Sequence, residues 1–276
     1  MRVGRTRAEE EPCCFAAGGA LALEGDISTG ISLELLSTNF TGCNSVNYGG
    51  AVSFVSRAGP ELCKQSSGTL RIEACSFSDN YAIMSNGGAL LISTTGCDKD
   101  NNFCEGYPWS MVPQTIMNTS FIYNGAGGLV NGYAIGLHTR STALHIIDSL
   151  FVNNCSVDVS PFIRVDSLSI DDPHTQLILT GITTDGIRFE DDAAQAEQES
   201  SAHQILVALH GADLFLYNVS SNFPSAAVRL ELGQEGQLSS VSACPMPSNI
   251  AVECSVQELN CTYQLVEQCA TDAHEN

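Results

Sequence analysis

Lysine is almost missing from this chain: of 276 residues only Lys64 and Lys99 are lysines, and Lys and Arg together number 11 against 31 Asp and Glu. The resulting formal charge of −20 excludes nucleic acid as a partner, because binding a polyanion requires a Lys/Arg track that displaces its counterions. The same field repels polyuronates and attracts Ca2+ or basic surfaces. Nowhere does a run of about 18 apolar residues appear, so no transmembrane segment is expected, and the first residues contain no apolar signal-peptide core. No pair of Cys-x-x-Cys steps with matching His spacing suggests a zinc site. Long helical periodicity is missing as well. Apolar residues at spacings of 3, 4 and 7 never persist beyond about 12 residues before Gly, Asn or Ser interrupts them, which excludes a helical solenoid.

What remains is apolar enough to build a core, with 43% hydrophobic and only 15% charged residues. Twelve cysteines and five Asn-x-Ser/Thr sequons, at Asn39, Asn118, Asn154, Asn218 and Asn260, together indicate an oxidising compartment and hence an extracellular or cell-surface location. Repeat-like text begins almost at once (Gly18, Gly19, Ala20, Leu21), which reads as a piece of a larger protein whose leader and first turns lie upstream.

Aligning the chain with itself gives four blocks, 30–54, 68–92, 112–137 and 141–165. Each opens with an alternating apolar strand (Leu33/Leu35, Leu70/Ile72, Ile116, Leu144/Ile146), reaches a Phe (Phe40, Phe77, Phe121, Phe151) and closes with a second strand (Val52, Leu90, Ile135, Ile163). The step from Leu35 to Val52 is 17 residues, from Ile72 to Leu90 18, from Ile116 to Ile135 19 and from Ile146 to Ile163 17. Short period-2 strands at near-constant spacing, separated by turn residues, are what a stacked coil requires. Stacking turns each repeated position into a ladder: an inward Phe ladder; an Asn ladder of Asn80, Asn124 and Asn154 at a turn, where the side-chain amide satisfies backbone groups and tolerates positive φ, with Cys43 replacing Asn in the first block; and corners at Gly18-Gly19, Gly49-Gly50 and Gly87-Gly88. Fainter strands follow at Leu177–Leu179, Ile205–Leu209, Leu214–Leu216 and Ala227–Leu230, for six to seven rungs in all.

The Phe-x-x-Asn steps (Phe77 to Asn80, Phe121 to Asn124, Phe151 to Asn154) and the Gly-Gly-Ala-aliphatic steps from Gly18, Gly49 and Gly87 resemble the repeats of polymorphic outer membrane proteins and related pectin-lyase-like β-helix proteins. The resemblance covers about residues 15–165 and implies a right-handed parallel β-helix at a cell surface, often adhesive. The pattern is departed from where Tyr133 and Pro161 occupy the place of the second Gly.

Candidate chemistry is sparse. The loop 97–105 offers Asp98, Asp100, Asn102 and Glu105 as oxygen ligands for Ca2+, although Phe103 stands where an EF-hand has Gly; Cys97 and Cys104 alternatively close a disulfide hairpin over a merely polar loop. That insertion, 93–111, also carries Tyr107 and Trp109, and an earlier insertion at 56–67 follows the same strand one rung before, so both are expected to leave one edge of the coil. An aromatic loop there would contact a glycan or protein ligand, or else fold back on the coil as packing. The pieces of a polysaccharide-cleaving site, Asp171, Asp172, Asp191, Asp192, His174, His210 and Asp213, form no recognisable constellation.

The sequence therefore predicts an all-β, right-handed parallel β-helix over 15–232, preceded by an extension at 1–14 and followed by a cysteine-rich cap or module at 233–276. The expected role is non-catalytic adhesion, recognition or spacing, with end-to-end contacts to a larger parent chain, no organic cofactor and calcium as the one candidate ion. The alternative is a carbohydrate-active enzyme of the same fold.

Overall fold

A computed structural model describes residues 2–3, 14–17, 19–27, 32–58, 69–83, 87–95, 112–127, 134–140, 142–154, 161–167, 175–187, 203–223, 225–231, 239–244, 248–254 and 264–265. Among them every regular element is a strand, and every strand pairing is parallel. Four stacked sheets result. Sheet A holds nine strands: Arg2–Val3, Leu33–Leu36, Leu70–Glu73, Val112–Met117, Thr142–Ile147, Gln176–Thr180, Asp213–Tyr217, Ser240–Cys244 and Gln264–Leu265. Sheet B holds six: Asn39–Thr41, Ser76–Ser78, Ser120–Ile122, Leu150–Asn154, Thr183–Ile187 and Ser220–Ser221. Sheet C has only four, Cys14–Ala17, Asn44–Tyr48, Tyr81–Ala82 and Gly125–Ala126. Sheet D has eight: Leu21–Ile27, Val52–Ala58, Leu90–Thr95, Ile135–Arg140, Ile163–Ser167, His203–His210, Ser225–Glu231 and Ile250–Cys254.

The chain visits A, B, C and D in turn and then returns to A beside its previous strand, which makes a parallel β-solenoid. After the fourth Sheet B strand no further Sheet C strand occurs among the described residues. The register is the one the repeat predicts, with Leu90 paired to both Val52 and Ile135, Ile116 to Ile72 and Ile146, and Phe121 to Phe77 and Phe151. All of the fainter strands are also present.

Inside, each ladder is a column of apolar side chains. Leu35, Ile72, Ile116 and Ile146 of Sheet A are fully buried, as are Val52, Leu90 and Ile135 of Sheet D. Phe40, Phe77, Phe121 and Phe151 stack almost parallel, with ring centroids 4.9, 5.1 and 4.9 Å apart. That spacing is the inter-strand distance itself, so the backbone imposes the stack and the rings gain about 0.5–1.5 kcal/mol per pair beyond their burial.

Three tight corners turn the chain. Between A and B, one residue per rung is left-handed: Ser37, Ala74, Asn118, Asp148, Gly181 and Asn218 have φ between 46 and 64°. Each donates its N–H to a carbonyl of the next rung, as Ser37 does to Glu73 and Asn118 to Ile147. The residue that follows points inward and forms a polar ladder: the Thr38 N–H donates to Cys75 Sγ at 3.5 Å, Cys75 N–H to Thr119 Oγ1 at 3.4 Å, and Thr119 N–H to Ser149 Oγ at 3.2 Å.

The Asn ladder stands at the B–C corner. Asn80 is fully buried; its Oδ1 accepts from Cys43 N–H at 2.9 Å and its Nδ2 donates to Phe40 O at 3.1 Å, while Asn124 repeats the pattern against Asn80 N–H and Phe77 O. Two corrections follow. The positive φ falls not on the asparagines but on the residue before each, Gly42, Asp79 and Tyr123. And Asn154 does not extend the ladder's turn, because its strand runs straight on and pairs it with Ile187. At the C–D corner Gly49 and Gly87 are left-handed, and a Cβ on Gly50 would lie 1.8 Å from Gly88 O, so the Gly pairs serve both torsion and close approach.

Strands also pair on both sides of the 15–232 stretch: Ser240–Cys244 and Ile250–Cys254 join Sheets A and D, Arg2–Val3 joins Sheet A, and Cys14–Ala17, at the junction with the expected extension, joins Sheet C. In 240–244 only Val241 and Ala243 face inward in sheet register, so polar Ser240 and Ser242 hide the strand from a simple count of apolar residues.

Candidate functional site

Two insertions leave the coil between Sheets D and A on adjacent rungs. One follows Ala58 and ends before Leu70; the other follows Thr95 and ends before Val112. Since Ser56 and Thr94 are register partners, their exit points are neighbours, as expected. One rung later the same crossing, from Arg140 to Thr142, takes a single residue. The binding-loop residues Tyr107 and Trp109, the calcium candidates Asp98, Asp100, Asn102 and Glu105, and the cysteines Cys97 and Cys104 lie outside the described residues. So do Asn260, Asp171, Asp172, His174, Asp191 and Asp192.

Among the described residues, Sheet D carries the one cluster of opposite charges that crosses rungs with little exposure. Arg164 faces away from the interior, yet is only 7% exposed; its Nε donates to Asp166 Oδ1 at 3.1 Å and Oδ2 at 3.2 Å. Asp166 is flanked in register by His138 on one side and His210 on the other, with His210 Nε2 3.8 Å from Asp166 Oδ1. Sequence reasoning reached only His210. The others are invisible to it because they meet through register across rungs, not through local spacing. Asp213, the other described member of the expected acid set, sits past the next corner and accepts from Ser240 Oγ at 2.5 Å. Among the described residues no three His, Cys, Asp or Glu side chains converge in a way that could hold a metal ion.

The cysteines divide. Cys43 and Cys75 are buried thiols outside any disulfide, each taking a rung of a polar ladder, whereas Cys244 is disulfide-bonded. Burial pushes the Cys75 thiol above its ordinary value, more than its hydrogen bonds with Thr38, Glu73 and Ser37 lower it.

Three sequon asparagines, Asn39, Asn118 and Asn218, have exposed side chains. Asn154 is placed only in its backbone. Among the described residues no helix is long and apolar enough to cross a membrane. Compared with protein-family models, curated proteins and solved structures, the chain matches none.

Proposed function

We propose that the chain is a right-handed parallel β-helix of a secreted or cell-surface protein, serving adhesion, recognition or spacing without catalysis. Right-handedness is what parallel crossovers adopt in about 98% of cases. The observation that carries the functional reading is the contrast at the D–A corner. Two long insertions depart there from adjacent rungs, while the next rung crosses with one residue. Long loops at one edge of a regular stack are how solenoids present a contact surface, and the insertions after Ala58 and after Thr95, the latter with Tyr107 and Trp109, form that surface here. Its ligand is an extracellular glycan or protein. Deleting 97–104 or substituting Trp109→Ala is expected to abolish binding on a glycan or surface-protein array; binding that survives both changes defeats the assignment.

A second reading, a carbohydrate-active enzyme, is favoured by the His138–Asp166–His210 row with Arg164 beside it. Release of reducing ends or unsaturated products from a polysaccharide panel, lost in Asp166→Asn, would establish it in place of the first.

A further inference from the structure

Three of the sequons come together on one edge of the coil. Asn118 and Asn218 both occupy the left-handed position of the A–B corner, in register and three rungs apart, which is about 14 Å. Asn39 begins the Sheet B strand two residues past the same corner, in the row that continues as Ser76 and Ser120. All three side chains are exposed. Their sequon hydroxyls, Thr41, Ser120 and Ser220, lie on the outer face of Sheet B, where they exchange hydrogen bonds with Ser78, Ser76 and Thr183.

Conformation alone accounts for Asn at 118 and 218, since Asn tolerates left-handed φ better than most residues. It does not account for Asn39, which is in an extended strand with its own Thr at the third sequon position. Nor does it explain the largely apolar column on the outer face of Sheet A, immediately before the corner. Met117, Ile147, Thr180 and Tyr217 stand there in register, and Tyr217 is 39% exposed directly beside Asn218. The first sugars of a glycan on Asn118 or Asn218 reach that column, and the C–H face of a sugar ring is a natural cover for a tyrosine ring.

We propose that Asn39, Asn118 and Asn218 carry N-linked glycans in the folded protein, forming a single stripe along the A–B corner that covers the outer Sheet A column of Met117, Ile147, Thr180 and Tyr217. This rests on the secretory reading above. The test is to secrete the full 276-residue chain from a eukaryotic host behind an added leader, map occupancy by glycopeptide mass spectrometry and assay Cys244 for alkylation. Occupancy at all three sites is expected. Thr41→Ala, Ser120→Ala and Ser220→Ala, which remove the sequon without altering the corner residue, should each remove one glycan step. The triple variant should bind more of a hydrophobic dye than the parent at unchanged circular dichroism. Asn118 and Asn218 found unmodified in secreted protein whose Cys244 resists alkylation would overturn the stripe while leaving the extracellular reading standing. A chain retained in the cell with Cys244 reduced would overturn both. Occupancy in the parent decides the matter even if the triple variant does not fold.

Discussion

The coil from Leu33 to Asn154 and the coil from Ile163 to Cys254 share Sheets A, B and D but are built differently. In the first, the Phe rings stack within 11° of parallel, Sheet C closes the fourth side, and Asn80 and Asn124 satisfy the backbone at the corner. In the second, no Sheet C strand occurs among the described residues, and the column that held Phe passes to Thr184 and Ser221. Phe162, at the corner position occupied by Ala51, Ala89 and Ala134, turns its ring 51° to Phe151, and Phe223 lies tilted beyond it. Among the described residues the small Ala of that corner and Sheet C thus disappear on the same rung. Once Pro161-Phe162 replaces Gly-Ala, a large ring enters the space that a small residue had left, and it supplies apolar volume that the Phe ladder no longer provides. A small apolar void lined by Phe151, Phe162, Ile182, Thr184, Leu206 and Val219 marks the seam.

The largest effect expected from this contrast is at Gly50. A Cβ there would meet Gly88 O at 1.8 Å and Tyr81 N at 2.6 Å, both backbone atoms that can yield only if two rungs separate. Gly50→Ala should cost more than about 3 kcal/mol, read as a loss of denaturation midpoint, because overpacking against backbone cannot be relieved by a rotamer change. Asn80→Leu follows closely. It leaves Cys43 N–H and Phe40 O buried without the amide they now share, at about 1–3 kcal/mol for each group, and should be destabilising by about 2–3 kcal/mol in total. If Asn80→Leu were neutral, the ladder would be ornament and the two halves would be held by the same apolar walls alone.

How much of this was legible in the sequence follows the same division. Strands at Leu33, Leu70, Ile116 and Leu144, the Phe column and the Gly corners could be read because stacking demands one residue type at one spacing, and the chain repeats it. The A–B corner could not. Its left-handed residues are Ser37, Ala74, Asn118, Asp148, Gly181 and Asn218, a set united by torsion and not by chemistry. The hydroxyl ladder of Thr38, Thr119 and Ser149 was equally hidden, since Cys75 replaces one member. In the second half Ser240–Cys244 escaped because only alternate residues face the core, and the His138–Asp166–His210 row because its members are joined only by register.

Thr184 turns the comparison the other way, toward stabilisation. It is 3% exposed in the column that held Phe, and its Oγ1 makes no hydrogen bond among the described residues. Thr184→Val keeps the shape and removes a buried hydroxyl, and should raise stability by about 1 kcal/mol. The equivalent replacement of Thr119, whose hydroxyl donates to Met117 O at 2.8 Å and accepts from Cys75 N–H, should lower it by a similar amount. Opposite signs for the same substitution would separate a satisfied ladder from an abandoned one.

The smallest effect concerns Cys75, which does in the first half with sulfur what Thr119 and Ser149 do with oxygen. Burial raises its pKa from the ordinary 9.0, so the folded state favours the protonated thiol more than the unfolded chain does. The contribution is complete below that ordinary value and is lost as pH climbs past it, because the unfolded chain then ionises while the folded one resists. The wild type should therefore lose stability above about pH 9 relative to Cys75→Ser, whose hydroxyl fits the same rung and does not titrate there. Unfolding curves at pH 8 and pH 10 for both proteins measure the difference. Parallel curves would mean that the thiol is not shielded, and that the first half is less tightly closed around its ladders than its stacked rings imply.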